Sequence, residues 1–514
     1  MSKNEIPKTN PVNELNSKKL DIVIYGHSIA AFISALTIHK TLADHVTLSL
    51  ILPDDQVHSD MLYGGTSTPD AYNLHLAMDI SEPELFQQTN SSFSFGTHYK
   101  NWTEDKLDWM QAFSLPFTSK YGVEFHQVLL KHKQDLQGYL VGAQSALHDK
   151  FAHPPQNQPA SPLSRAEYGY NFDYQNYALF LLNKIKQRKI KLIQSDFLQV
   201  NVADKHITSL QLDDDSCITA DLFIDCSGTD AKLISALDVK KHVHSQIKFS
   251  SLTNENDTQM KPCNRVSGHV NAWQSTLYLQ DSSQILQAVN TESHTENSTE
   301  NNAKDTSIEN KNAANTMASI IADIGEKEQA WVGNCVAISL SAAVLEPFSN
   351  APFRLLKLDI ERLLTLIPVS NDMKMEKKEY NRRYRLDLQH TKLFNLALMD
   401  TRHSSQHEQA TKNKLLDSDV DTQALLDRKL VQYLHRGLIV TYDFEPFNPE
   451  EWVILHFGMR RFPRRLDSLC DNIDNSDVKQ DLLHTKKAIA AIVPQIPPCS
   501  LYTQKFLNYL KRQS

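Results

Sequence analysis

Residues 331–350 read WVGNCVAISLSAAVLEPFSN, and the way this stretch is read decides the fold. Trp331 and Val332 suit a short strand and Gly333-Asn334-Cys335 a tight turn. The small residues that follow predict a helix ending at Glu346-Pro347. A strand, a glycine turn and a helix opening on small residues let backbone N–H groups come close to an anion. A buried helix with small packing residues has the same appearance, so the segment needs company before it names a chemistry.

Upstream, residues 19–35 read KLDIVIYGHSIAAFISA. The apolar run from Leu20 to Tyr25 suits a buried parallel strand, and Gly26 opens a helix carried by Ile29, Phe32, Ile33 and Leu36. This is the place of the dinucleotide fingerprint GxGxxG, whose glycines let a diphosphate sit on the helix N-terminus. Here the pattern is Gly26-His27-Ser28-Ile29-Ala30-Ala31, with only the first glycine. Ser28 and Ala31 are small, although the second glycine site now carries a Cβ. A strand–turn–helix unit without a ligand would look alike. A second strand is predicted at 46–52, and Asp54 beyond Pro53 is a ribose candidate weakened by that turn-forming proline. Residues 64–69, GGTSTP, predict a flexible hydroxyl-rich loop, most simply a surface turn. In 220–228, ADLFIDCSG, Leu222 to Ile224 make a buried strand, Asp225 closes it and Ser227-Gly228 turn the chain.

Together these segments resemble the flavin-dependent tryptophan halogenases, over residues 20–463. The resemblance implies an α/β fold: an FAD-dependent monooxygenase-like, Rossmann-type cofactor module with a mainly helical C-terminal substrate part. It implies FAD, arriving as FADH2 from a separate flavin reductase. It places cofactor contacts at Gly26, His27, Ser28, Ala31, Gly65, Asp225, Gly228, Gly333 and Asn350. The family's Asn-Ala-Ser-Tyr-Lys, whose lysine hands hypohalous acid to the substrate, reads Asn90-Ser91-Ser92-Phe93-Ser94. A hydroxyl at Ser94 cannot form a chloramine and carries no charge. Lys100 lies roughly 20 Å further along a strand at about 3.3 Å per residue. At 168–173, Asn171 replaces the family's histidine and Asp173 predicts an N-cap for a helix over 174–189. The WxWxIP signature is reduced to Trp273, with Ser275 and Tyr278 at its other two positions. The family's Glu-Pro-Leu-Glu-Ser-Thr reads Glu346-Pro347-Phe348-Ser349-Asn350-Ala351. The resemblance therefore keeps Glu346 as the catalytic carboxylate and weakens halide binding, because the Ser-Thr pair is lost. Residues 452–463, WVILHFGMRRFP, resemble the late W-x-x-x-x-x-G lid segment, which sets Trp452 beside Trp273 as a substrate-side candidate. The implied activity is halogenation or oxygenation of a small indole-type aromatic substrate. The alternative is an inactive relative serving as a binding or accessory protein.

Composition sets the outer limits. The chain has 514 residues and a net charge of −8, which excludes partners that need clustered basic charge, nucleic acid and anionic membrane surfaces. No apolar run is long enough to span a bilayer. The six cysteines are scattered without a CxxC pair, which predicts reduced thiols, no metal site and a cytoplasmic setting. The expected organisation is a disordered tail at 1–18, a cofactor module at 19–350 and a helical part at 351–514. Residues 152–164, AHPPQNQPASPLS, predict a connector. Residues 282–316 predict a disordered polar insertion, and 316–330, TMASIIADIGEKEQA, a helix returning to the core. Further helices are expected at 353–367 and 379–399, with a polar loop at 401–418. Pairing into a homodimer is left open.

Overall fold

The Ile/Val run at Leu20–Tyr25 forms the centre of a six-stranded sheet. Parallel neighbours lie on both sides of it, Leu222–Asp225 and Val46–Leu52, and its last four residues are buried. This is the pattern an apolar β-branched run gives when helices or loops cover both faces of a parallel sheet. Cys335–Ala337 pairs parallel to Leu222–Asp225, and Lys191–Gln194 parallel to Val46–Leu52. Trp331–Val332 closes one edge in antiparallel register. The chain is described by a computed structural model that covers residues 19–512 except 55–57, 104, 116, 118, 120–121, 256–258, 270–271, 292–314, 368–372, 401–419 and 473–474. The expected tail at 1–18, the centre of the expected insertion and the loop at 401–418 therefore lie outside the described residues.

A second, eight-stranded sheet runs in the order 343–344, 315–327, 241–254, 283–290, 272–278, 264–269, 96–102, 107–112. It is antiparallel except where Asn264–His269 runs parallel to Gly96–Trp102. The helical part follows, with Ala351–Thr365, Lys374–Met399, Val420–Arg436, Pro449–Gly458, Asn475–Ile492 and Cys499–Lys511. One continuous apolar cluster runs from Ile22 to Cys499 and joins all three layers.

Four sequence expectations are corrected. Residues 335–346 hold no helix: Cys335–Ala337 is a strand, Ser339–Ser341 a 3-10 turn and Ala343–Val344 a second short strand. Cys335–Ala337 lies in register with Phe223 to Asp225, and completing the parallel ladder outweighs the helix propensity of small residues. Residues 316–327 are likewise strand, part of Asn315–Lys327, paired along its length with Lys241–Asn254. Ser283–Asn290 is a strand too, so the ends of the expected insertion are ordered. Finally, residues 64–68 are buried and form no surface turn.

Candidate functional site

In an open α/β sheet, ligands bind beyond the carboxyl ends of parallel strands. Here Tyr25 pairs with Asp225, and Asp225 with Ala337. The ends of three strands thus bring Gly26, Ser28, Gly228 and Ser339 to one crevice. The register excludes Gly333, which precedes Cys335 and so lies at the amino ends of the same strands. Its φ is +57° and a Cβ there would sit 1.9 Å from the Lys205 carbonyl oxygen, so this glycine serves a turn against the 206–212 strand. Asn334 beside it binds both backbone groups of Ile207.

Gly26 has φ +147°, and a Cβ would lie 2.3 Å from the Cys226 carbonyl oxygen. The glycine is required by the crossing of two backbones, whatever else it does. Ser28 is the N-cap of the helix Ile29–Leu42: its Oγ accepts from the Ala31 N–H at 3.3 Å and donates to the Cys226 carbonyl at 2.8 Å. His27 turns the other way, its Nδ1 3.1 Å from the Pro53 carbonyl. Asp54 accepts from Gln194 Nε2 in an exposed contact.

A residue unmarked in the sequence occupies the mouth of this helix. Asp60 Oδ2 accepts from the Ile29 N–H at 3.0 Å, while its Oδ1 is buried without a partner. Burial pushes its carboxyl up to about 8, only partly offset by the Ile29 N–H. Met61, Leu62 and Tyr63 seal the same space, each at most 2 % exposed. The helix N-terminus is therefore an acceptor-binding site, and its present occupant is a side chain of the same chain. A dinucleotide fits this donor set only once residues 58–63 withdraw.

Asp225 is fully committed to the fold. One carboxylate oxygen accepts from the Ser227 N–H and hydroxyl, the other from Leu233 and Ile234 N–H at 2.8 Å, capping the short helix Lys232–Ser235. Gly228, at φ +72°, accepts from the Ser341 hydroxyl and holds the 3-10 turn over the crevice. Gly65 borders a cavity of about 10 Å³, lined also by Tyr174, Ser251, Ser275 and Gln284. That is room for about one water. The side-chain polar atoms of Ser251, Ser275 and Gln284 Nε2 have no regular partner there, which marks a place where polar groups await company.

Two sequence candidates meet directly. Trp273 Nε1 donates to Glu346 Oε2 at 2.6 Å, leaving Glu346 Oε1 buried and unpartnered. Burial pushes the Glu346 carboxyl up to about 7 against the pull of that indole bond. Asn395 anchors the strand of contacts behind it, donating to the Glu346 carbonyl and accepting from the Ser349 hydroxyl. Asn350 stands at the start of Ala351–Thr365 with its Oδ1 buried and unpartnered.

Ser94 is 2 % exposed and its hydroxyl is turned onto the backbone of Gly96 at 3.2 Å. Lys100 is exposed on the next strand. Trp452 sits inside the helix Pro449–Gly458, fully buried, with Phe394 edge-on at 5.2 Å and Lys429 Nζ 4.4 Å from its ring centre. Lys429 is in turn held by Glu445 at 2.7 Å. Trp452 is thus a core residue of the helical part, and the expected lid is a packed helix. Among the described residues no group of His, Cys, Asp or Glu could hold a metal, and no helix is long and apolar enough to cross a membrane.

The tryptophan halogenase family pattern matches residues 21–475. Tryptophan 7-halogenase KtzQ of Kutzneria sp. (strain 744) is 21% identical over 364 residues, 64% of this chain and 66% of that one. Tryptophan 6-halogenase SttH of Streptomyces toxytricini is 22% identical over 401 residues, 70% and 74% of the two chains. Among solved structures, BrvH, a flavin-dependent halogenase from Brevundimonas sp. BAL3, superposes with a TM-score of 0.82 at 20% identity, covering 96% of this chain and all of that one. Xcc4156, a flavin-dependent halogenase from Xanthomonas campestris, gives 0.83 at 20%, covering 95% and 99%.

Proposed function

Because the chain belongs to the tryptophan halogenase family, we propose that it is a flavin-binding member acting on an indole-type aromatic substrate, without a lysine relay for halogen. FAD, supplied reduced by a separate reductase, would bring oxygen activation. The observation that carries this reading is the convergence of three parallel strand ends on a helix N-terminus that already holds a carboxyl oxygen, Asp60 on Ile29 N–H. That carboxyl is a poor occupant, since one of its oxygens is buried without a partner. A diphosphate offers more acceptors and more charge to the same donors.

With Asp60 withdrawn, the Ile29 N–H would face the diphosphate, while the Ser28 hydroxyl stays on the Cys226 carbonyl. Glu346, poised near 7, holds or releases a proton at Oε1 at working pH, and Trp273 fixes the orientation of the carboxyl. Ser94 offers neither an amine nor a positive charge, and its hydroxyl is spent on Gly96. Oxygen transfer to the substrate is therefore favoured over halogen transfer. A second reading, a binding or accessory protein without flavin, is favoured by the same Asp60 contact if the segment never leaves.

Anaerobic titration of the purified chain with FAD and FADH2, read by flavin fluorescence, separates the two. The expected outcome is weak binding by the wild type and binding about tenfold tighter by Asp60→Ala, in line with removal of a competing internal ligand. Absence of binding by both proteins would sink the enzyme reading. A halogenated indole formed with bromide and a reductase would overturn the loss of halogen transfer.

A further inference from the structure

A cleft of about 490 Å³ lies apart from the flavin crevice and shares none of its residues. Its volume is that of a small-molecule site. Tyr72, Tyr168, Tyr170 and Phe506 supply rings to its lining, and the charged residues of that lining are Glu82 and Glu167. Tyr168 and Tyr170 stand 6.1 Å apart at 77°, two walls of a corner. Both of their hydroxyls donate to Glu82 Oε2, at 3.1 and 2.7 Å. Glu82 Oε1 meets His153 Nε2 at 2.9 Å, and Tyr502 backs His153 at 2.7 Å.

This network has a consequence for charge. Burial alone would raise the Glu82 carboxyl, but His153, Tyr170 and Tyr168 together hold it below its usual value, so it is an anion at neutral pH. At Glu167 burial, then Glu450 and Asp70, push the carboxyl up against a bond from Ser114. The cleft therefore sets carboxyl groups beside aromatic rings, with Glu82 backed by His153. An anion is repelled there. A metal ion finds no ligand set, as both Glu82 oxygens are engaged. A positive charge beside ring faces is attracted by the ring quadrupole and by the carboxylates.

We propose that this cleft binds a compact organic cation, an ammonium or methylated ammonium group on an apolar body. The proposal is independent of the flavin reading, because it needs neither movement of residues 58–63 nor any cofactor.

Calorimetry on the purified full chain tests it with three probes of one shape class: benzyltrimethylammonium, benzyl alcohol and phenylacetate. Saturable heat is expected for the cation, with affinity about tenfold above that of the neutral alcohol, and none for phenylacetate. Tyr72→Ala removes a ring that is 44 % exposed, so it should spare the fold while weakening the cation several-fold. Glu82→Gln should weaken it further, and Glu167→Gln, at an exposed position, serves as the charge test if Glu82→Gln does not fold. Equal binding of cation and alcohol, no saturable heat for the cation, or cation binding unchanged by both Tyr72→Ala and Glu167→Gln would each overturn the proposal.

Discussion

Asp60 is a carboxyl that the fold accommodates best when neutral. Its folded pKa, about 8, stands above the usual value of 3.8, so its share of stability is fully present below 3.8 and is lost as pH rises towards 8. The slope is up to about 1.4 kcal/mol per pH unit in that window. Asp60→Asn should flatten the pH dependence of the urea midpoint between pH 5 and 8; an unchanged slope would show that Asp60 is already solvated. Glu346 gives a second case. Trp273→Phe removes the donor that favours the ionised carboxylate, so the Glu346 pKa should rise above about 7, seen by carboxyl infrared titration against Glu346→Gln. Stability should fall by about 1–3 kcal/mol, as for a buried acceptor left unpaired. None of this was visible in the sequence for Asp60: one acid among Met61, Leu62 and Tyr63 carries no motif, and only tertiary packing buries it. Trp273 and Glu346 were singled out separately, but residues 73 apart announce no contact through spacing.

At the scale of elements, legibility followed burial pattern. Leu20–Tyr25, Val46–Leu52 and Leu222–Asp225 are readable because a strand covered on both faces is mostly apolar along its buried length. Tyr174–Lys186 was readable from its three-and-four spacing and its Asp173 cap. Residues 335–346 depart from the expected helix because Ala, Ser, Val and Leu serve helix and strand alike, and the partner strand that decides between them lies over a hundred residues earlier. The glycines show the same limit. The resemblance places a ligand contact at Gly333, yet its close neighbour is the Lys205 carbonyl. Gly333→Ala should cost about 2–4 kcal/mol, left-handed strain plus overpacking. Gly122→Ala, at φ +74° with nothing within 4 Å, should cost only about 1 kcal/mol. Equal shifts in urea midpoint for the two variants would refute the backbone contact at Gly333.

At the scale of the molecule, buried side chains tie the eight-stranded sheet to the C-terminal helices across the boundary the sequence suggests at residue 350. Trp102 Nε1 donates to the Leu398 carbonyl at 2.8 Å, and Gln111 Nε2 to the Glu451 carbonyl at 2.9 Å. Gly458 lies so close to Trp109 that a Cβ would come within 2.4 Å of the indole. These ties are buried, and each leaves an orphaned polar group or an exposed indole if the helices are removed. Residues 19–350 expressed alone should therefore form no cooperatively folded unit, losing near-ultraviolet circular dichroism while keeping part of the far-ultraviolet signal. Gly458→Val should act in the same direction within the full chain, levering Pro449–Gly458 off Leu107–Ala112 and lowering the urea midpoint. A soluble 19–350 fragment with a sharp urea transition of its own would instead show that the two parts fold separately, and that the shared core is only a docking face.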